Sequence, residues 1–297
     1  MPTTDPQFSN PSGDHTPGGV FLLAGELPIH RLGFGAMRIT GPDVLGPPAD
    51  RKEAVRVVRR ALELGVNFID TADSYGPDVS EEIIAEALHP YPAGVVIATK
   101  GGRWRDGNKR PWPIDGRPEY LKKACAASLR RLKLNCIPLY QLHRPDDNVP
   151  FEDSVGALAE LRAEGKIRHV GLSGVSVAQL DAAQAIVPIA SVQNRYNAKD
   201  RSSEDVLRAC EARGLVFMPY APLLHNDEAV GRVLDEVANV RGGVTARQVS
   251  LAWLLAKSPV MVPIPGTGSV AHLEENMVAA ELTLQPDEMA AIEEVAS

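Results

Sequence analysis

Residues 50–70 read DRKEAVRVVRRALELGVNFID. Asp50 and Glu53 have the three-residue spacing of a capping box, in which two side chains close N–H groups that a first helical turn leaves open. Ala54, Val58, Ala61 and Leu62 then recur at the helical period and predict one buried face. Residues 67–70 are too few for a helix and predict a strand that ends on a carboxylate, Asp70. A helix feeding a short buried strand is the repeating unit of an α/β fold.

The same alternation extends in both directions. Short apolar runs recur at residues 32–36, 67–70, 95–99, 137–142, 169–173, 189–193, 215–219 and 260–264. Most lack strict two-residue alternation, as expected of parallel strands covered on both faces. Helical stripes lie between them. Leu121, Ala124, Cys125, Ser128, Leu129 and Leu132 form one. Ser176 with Gln179 and Thr245 with Gln248 open two more with capping-box spacing. Eight strands with intervening helices and no linker predict an α/β chain folded as a single (β/α)8 TIM barrel over residues 19–297. Long loops are expected after strands 3 and 7, at residues 101–117 and 221–243, the second holding an extra helix near residues 229–239. Residues 20–23 and 27–29, separated by Gly25-Glu26, predict an N-terminal β-hairpin. A doubly wound open sheet is the alternative, but no G-x-G-x-x-G follows the first strands.

Composition narrows the function. The chain has 297 residues and a formal charge of −7, which argues against a nucleic-acid binder or a basic membrane-surface protein. No apolar run is long enough to span a bilayer. Cys125, Cys136 and Cys210 are odd in number and lack C-x-x-C spacing, so the expected compartment is reducing and cytoplasmic. Cys125 and Cys210 fall on helical stripes and are expected in the core. Residues 1–18 carry four prolines and no basic head or apolar stretch. They predict a disordered tail and no secretory signal.

Polar residues collect where the predicted strands stop: Asp70, Lys100, His143, Ser173, Gln193 and Tyr220. Each has an ordinary structural explanation when taken alone. In a (β/α)8 barrel, however, the carboxyl ends of all strands form one rim, and active sites lie there. The seven histidines show no metal-ligand spacing, so no metal site is expected.

The run Gly65-Val-Asn-Phe-Ile-Asp-Thr-Ala-Asp-Ser-Tyr-Gly76 resembles the signature of the aldo-keto reductase superfamily. So do Ala98-Thr-Lys100, Leu139-Tyr-Gln-Leu-His-Arg-Pro145, Gly165-Lys-Ile-Arg-His-Val-Gly-Leu-Ser173, Val192-Gln-Asn194, and Ile264-Pro265 with Glu275-Asn276. The resemblance covers residues 28–296 in the family's order. It implies a barrel that binds NADPH, with NADH also possible, across the carboxyl rim and reduces an aldehyde or ketone. Hydride addition to a carbonyl leaves charge on oxygen, so the site must supply a proton and shelter that charge. The resemblance makes Tyr75 the general acid. Lys100 is expected to lower its pKa, Asp70 to pair with Lys100, and His143 to orient the carbonyl oxygen.

By the same resemblance, Ser173 and Gln193 bond the nicotinamide carboxamide and Tyr220 stacks on its ring. Gly174 stands where many relatives have Asn. Gly266 and His272 stand where many members carry a Lys and an Arg for the 2′-phosphate, while Thr267, Glu275 and Asn276 match. The loop ending at Ser269 is expected to offer free backbone N–H groups at a helix start. His272 is expected to add a weak, pH-dependent attraction, so that NADPH is preferred over NADH about tenfold.

Met37, Trp104, Trp112 and Leu223 are candidate pocket walls. Few charges are certain to face inward, so the expected partner is a small aromatic or polar carbonyl compound, and the general pattern resembles bacterial reductases that act on aldehydes, including pyridoxal-type substrates. The sequence leaves the oligomeric state open. Two other functions remain open: a cofactor-binding regulatory subunit, and a redox-neutral isomerase or dehydratase on the same fold.

Overall fold

The computed structural model describes residues 18–105, 107, 112–223 and 227–295. The predicted tail, apart from residue 18, lies outside the described residues. So do residues 106, 108–111 and 224–226 of the two long loops.

Strands β1 (Val20–Leu23) and β2 (Leu27–His30) form the antiparallel hairpin, with Val20 opposite His30. Seven strands then build one parallel sheet in sequential order: β3 (Phe34–Gly35), β4 (Phe68–Asp70), β5 (Val96–Gly101), β6 (Ile137–Leu142), β7 (Ile167–Ser173), β8 (Ile189–Arg195) and β9 (Val216–Tyr220). Helices alternate with them: α1 (Arg51–Glu63), α2 (Val79–Leu88), α3 (Pro118–Leu132), α4 (Phe151–Ala163), α5 (Val177–Gln184) and α6 (Glu204–Arg213). After β9 come α7 (Glu228–Arg241), α8 (Ala246–Lys257), α9 (Val270–Val278) and α10 (Pro286–Glu294).

The predicted eighth run is not a regular strand. Only Met261 forms a bridge, to Phe217. Pro263 and Pro265 have no N–H to give a ladder. Residues 260–265 nevertheless bond both edges of the sheet. Phe217 N–H donates to Val260 O and Val262 N–H to Phe217 O, each at 2.9 Å, while Gly33 and Gly35 N–H donate to Pro263 O and Pro265 O at 3.0 and 3.2 Å. Gly35 is needed for this approach, since a Cβ there would lie 2.5 Å from Ile264 O.

The sheet curls around its own apolar cluster. Phe68, Val96, Ala98, Leu139, Val216 and Val262 meet there, joined by Leu23, Leu27 and Ile29 of the hairpin. The buried sides of the helices pack against the outer faces of the strands in two larger clusters. Cys125 and Cys210 are buried among them, and Cys136 is exposed.

The capping boxes of α5 and α8 form as expected. That of α1 forms only in part. Asp50 Oδ1 accepts the Glu53 N–H at 2.9 Å, but the Glu53 carboxylate turns away and accepts the Val270 N–H of α9 at 3.2 Å. Among the described residues no helix is long and apolar enough to cross a membrane.

Candidate active site

Strand alternation decides what faces the interior. Phe68, Ala98 and Leu139 belong to the central cluster. Side chains two residues further along a strand point the same way. Asp70, Lys100 and Gln141 therefore follow those three residues on the same side, at the carboxyl end.

Lys100 is fully buried, and its ammonium has three partners. It donates to Asp70 Oδ2 at 2.6 Å, to Thr71 O at 2.9 Å and to Tyr75 OH at 3.3 Å. The other carboxylate oxygen, Asp70 Oδ1, accepts Nε2 of Gln141 and of Gln193, both at 3.0 Å. A buried ion pair holds well only when its remaining donors and acceptors are also satisfied, and these are. Tyr75 arrives on the turn after β4, held by its N–H to Ala72 O at 3.2 Å. Its ring lies edge-on to Trp112 and to His143, at centroid distances of 6.4 and 6.0 Å. His143 follows β6, and its N–H donates to Gly101 O at 2.8 Å. Its Nδ1 makes a long contact of 3.4 Å with Ser74 Oγ.

Three pKa shifts describe the electrostatics. Burial raises the Tyr75 phenol above its ordinary value, outweighing the pull of the Lys100 ammonium. This reverses the expected depression: the enclosed site penalises phenolate by more than one paired ammonium relieves. Burial works to lower the Lys100 pKa, but Asp70 and Tyr75 together raise it. Burial, Lys100, Arg103 and Arg144 hold His143 well below the usual histidine value, so its ring is neutral.

A cavity of about 780 Å³ opens above these groups. Asp70, Tyr75, His143, Ser173, Gln193, Tyr220 and Gly266 line it, as do Met37, Trp112 and Leu223. Lys100 lies just behind the lining, against Tyr75. Trp104 is 41% exposed and is not part of the lining.

Thr267, Ser269, His272, Glu275 and Asn276 continue from Gly266 along the loop and α9 without lining the cavity. The loop's N–H groups are less available than expected. Ser269 N–H donates to Thr267 Oγ1 at 3.1 Å, and Val270 N–H is taken by Glu53. His272 is exposed. Glu275 accepts the Thr245 hydroxyl at 3.0 Å. Asn276 is buried, and its Oδ1 has no partner.

Some contributors carried little signal in the sequence. Gln141 stands two residues before His143, and its strand position is the one clue to its facing Asp70. Arg144 adjoins His143 in the chain. Arg103 and Ser74 are placed by loop geometry that no periodicity encodes.

Similarity to known proteins agrees with this architecture. The sequence profile of the Aldo/keto reductase family matches residues 31–297. The chain belongs to that family. It is 45% identical over 274 residues to an uncharacterized oxidoreductase of Schizosaccharomyces pombe, covering 92% of this chain and 89% of that one. It is 41% identical over 275 residues to pyridoxine 4-dehydrogenase of Escherichia coli, covering 91% and 96%. Among solved structures, the glycerol dehydrogenase of Gluconobacter oxydans superposes with a TM-score of 0.83 at 28% identity, covering 94% and 95%. An aldo-keto reductase of Klebsiella pneumoniae solved with NADPH gives 0.80 at 27% identity, covering 93% and 94%.

Proposed function

We propose that residues 19–297 act as one (β/α)8 unit, with residues 260–265 as its eighth stave, and reduce an aldehyde or ketone to an alcohol using NADPH in the cytoplasm. One observation carries this reading: the Tyr75 phenol lies 3.3 Å from an ammonium locked to Asp70 at 2.6 Å, in a cavity shared with a neutral imidazole. The E. coli relative's name and the NADPH-bound Klebsiella neighbour support the reaction class and the cofactor.

The residues present suit a nicotinamide cofactor. Ser173, Gln193 and Tyr220 line the cavity beside Tyr75 and would hold the nicotinamide end. Gly266 leads to α9, where the buried Asn276 Oδ1 has no partner and would serve the adenine end. The cofactor, when bound, supplies the hydride. Tyr75 holds the proton that the carbonyl oxygen needs, because burial keeps its phenol protonated. Lys100 shelters the phenolate left behind, and Asp70, clamped by Gln141 and Gln193, keeps that ammonium aimed. The tautomer in which the Ser74 hydroxyl donates to Nδ1 puts the His143 proton on Nε2. There it can donate to the carbonyl oxygen.

The test follows NADPH absorbance with 4-nitrobenzaldehyde. Many turnovers per protein support the reductase. Binding of NADPH without turnover supports a regulatory subunit. Conversion of a hydroxylated carbonyl compound with no net loss of NADPH supports redox-neutral chemistry.

A further inference from the structure

The sequence marks few charges as certain to face inward. The structure lines the cavity with three arginines, Arg38, Arg103 and Arg144, and with the carboxylates Asp43 and Asp70. Two of the arginines stand on the strand-end loops nearest His143. Arg103 comes from the loop after β5, and Arg144 follows His143 after β6. The two loops run side by side, joined by the His143 N–H to Gly101 O bond at 2.8 Å. Asp70 is committed elsewhere, since Lys100, Gln141 and Gln193 take both its oxygens, and Asp43, the other carboxylate of the lining, forms no ion pair with Arg103 or Arg144. Among the described residues neither guanidinium has a carboxylate within 4.0 Å. The chain as a whole carries −7, so a local excess of positive charge is not a background property.

Arg103 is already set in position. Its Nη2 donates to Trp112 O at 3.4 Å, and the guanidinium lies 5.5 Å from the Trp112 ring centre. Its Nε is buried without a hydrogen-bond partner. Arg144 Nη1 lies 3.2 Å from where a side chain at Gly174 would begin. That glycine leaves the guanidinium space that a larger residue would fill. Burial, then the nearby Arg144, lowers the Arg103 pKa, and both arginines help depress that of His143. Two like charges that share a cavity, neither of them ion-paired, form an incomplete arrangement, and an oxyanion completes it.

We propose that the carbonyl compound reduced here carries an oxyanion group, a carboxylate or a phosphate monoester, which Arg103 and Arg144 hold. The inference rests on the reductase reading and names its substrate class. The cofactor is the rival claimant. The residues assigned to it run from Ser173 round to α9, and Arg144 reaches the near end of that run beside Gly174, whereas Arg103 is held on the loop after β5 against Trp112.

The experiment compares three aldehydes built on one ring: 4-carboxybenzaldehyde, 4-formylphenyl phosphate and the neutral methyl 4-formylbenzoate. At low salt, kcat/KM should favour one or both charged aldehydes over the ester by about tenfold or more, chiefly through KM. The favoured one distinguishes carboxylate from phosphate. Arg144→Met and Arg103→Met should each remove most of that preference, and Arg144→Lys should restore part of it. Benzoate should inhibit competitively against aldehyde in the unaltered protein, and benzamide should not, a test that needs no variant to fold. Reduction of the ester without preference for either anion overturns this proposal but leaves the reductase reading standing. Failure to reduce any of the three overturns the reductase reading itself. An equal loss of NADPH affinity and of anion preference in both arginine variants, by fluorescence titration, assigns the arginines to the cofactor and overturns the proposal.

Discussion

The Glu53 carboxylate accepts the Val270 N–H at 3.2 Å, tying the start of α1 to the first turn of α9. That bond and Arg56 hold the Glu53 carboxyl below the usual range, so it is charged at neutral pH. A helix start attracts anions, and here a side chain already fills part of that role. A 2′-phosphate approaching α9 meets a carboxylate already on the Val270 N–H, where the sequence suggests an open donor. Preference for NADPH over NADH is therefore expected to be modest, about tenfold or less. Glu53→Gln should tighten NADPH binding by roughly threefold to tenfold and leave NADH binding nearly unchanged. Nicotinamide fluorescence titration with both cofactors measures this. An unchanged ratio of Kd values would remove Glu53 from cofactor selection.

Tyr75→Phe removes the proposed proton donor and little else. Turnover should fall at least ~100-fold, the scale of a general acid. The Kd for NADPH should stay close to that of the unaltered protein. A variant turning over at near the original rate would assign the proton to another group.

Lys100→Met leaves Asp70 buried with two amide donors and no cation. Breaking such a pair commonly costs about 3–5 kcal/mol. The variant should melt well below the parent, and its turnover should be lost as in Tyr75→Phe. Adding Asp70→Asn removes the stranded charge and should recover much of the melting temperature but none of the activity. Recovery of activity in the double variant would show that the ammonium has no role beyond stability.

The legible part of the fold was whatever repeats. Helical stripes such as Leu121 to Leu132, strand-end polar residues and capping-box spacings all carry local periodicity or chemistry, and α5 and α8 start as their sequences indicate. The eighth run was legible as apolar, but its hydrogen bonding was set by Pro263 and Pro265. The proposed catalytic four were legible because each ends or follows a strand and matches a family motif. Their electrostatics were not, because the Tyr75 shift depends on burial by neighbours far away in sequence. Glu53 illustrates the same limit: its spacing predicts a return to Asp50, and only the packing of α1 on α9 redirects it. Trp104 and Trp112 look equivalent in the sequence, yet one lines the cavity and the other is exposed.

The dependence of rate on pH separates the two views of Tyr75. A phenol depressed by Lys100 would lose its proton below the ordinary tyrosine value of about 10, and reduction would fade from there. Burial raises Tyr75 instead, with Lys100 only partly offsetting it. The protonated phenol is the active form for reduction, so the alkaline limb of kcat/KM should lie above about pH 10. His143, held neutral by burial, Lys100, Arg103 and Arg144, should contribute no limb near the ordinary histidine value. The profile measured with the neutral methyl 4-formylbenzoate, which carries no titrating group of its own, should therefore be flat from pH 6 to 9. Arg144→Met takes one positive charge away from His143 and should move its ionisation upward, toward the measured range. A parent profile that falls below pH 9 would restore the depressed phenol. A limb near pH 6.5 that shifts in Arg144→Met would show that His143 titrates in the working site and that its charge, rather than its neutral N–H, meets the carbonyl oxygen.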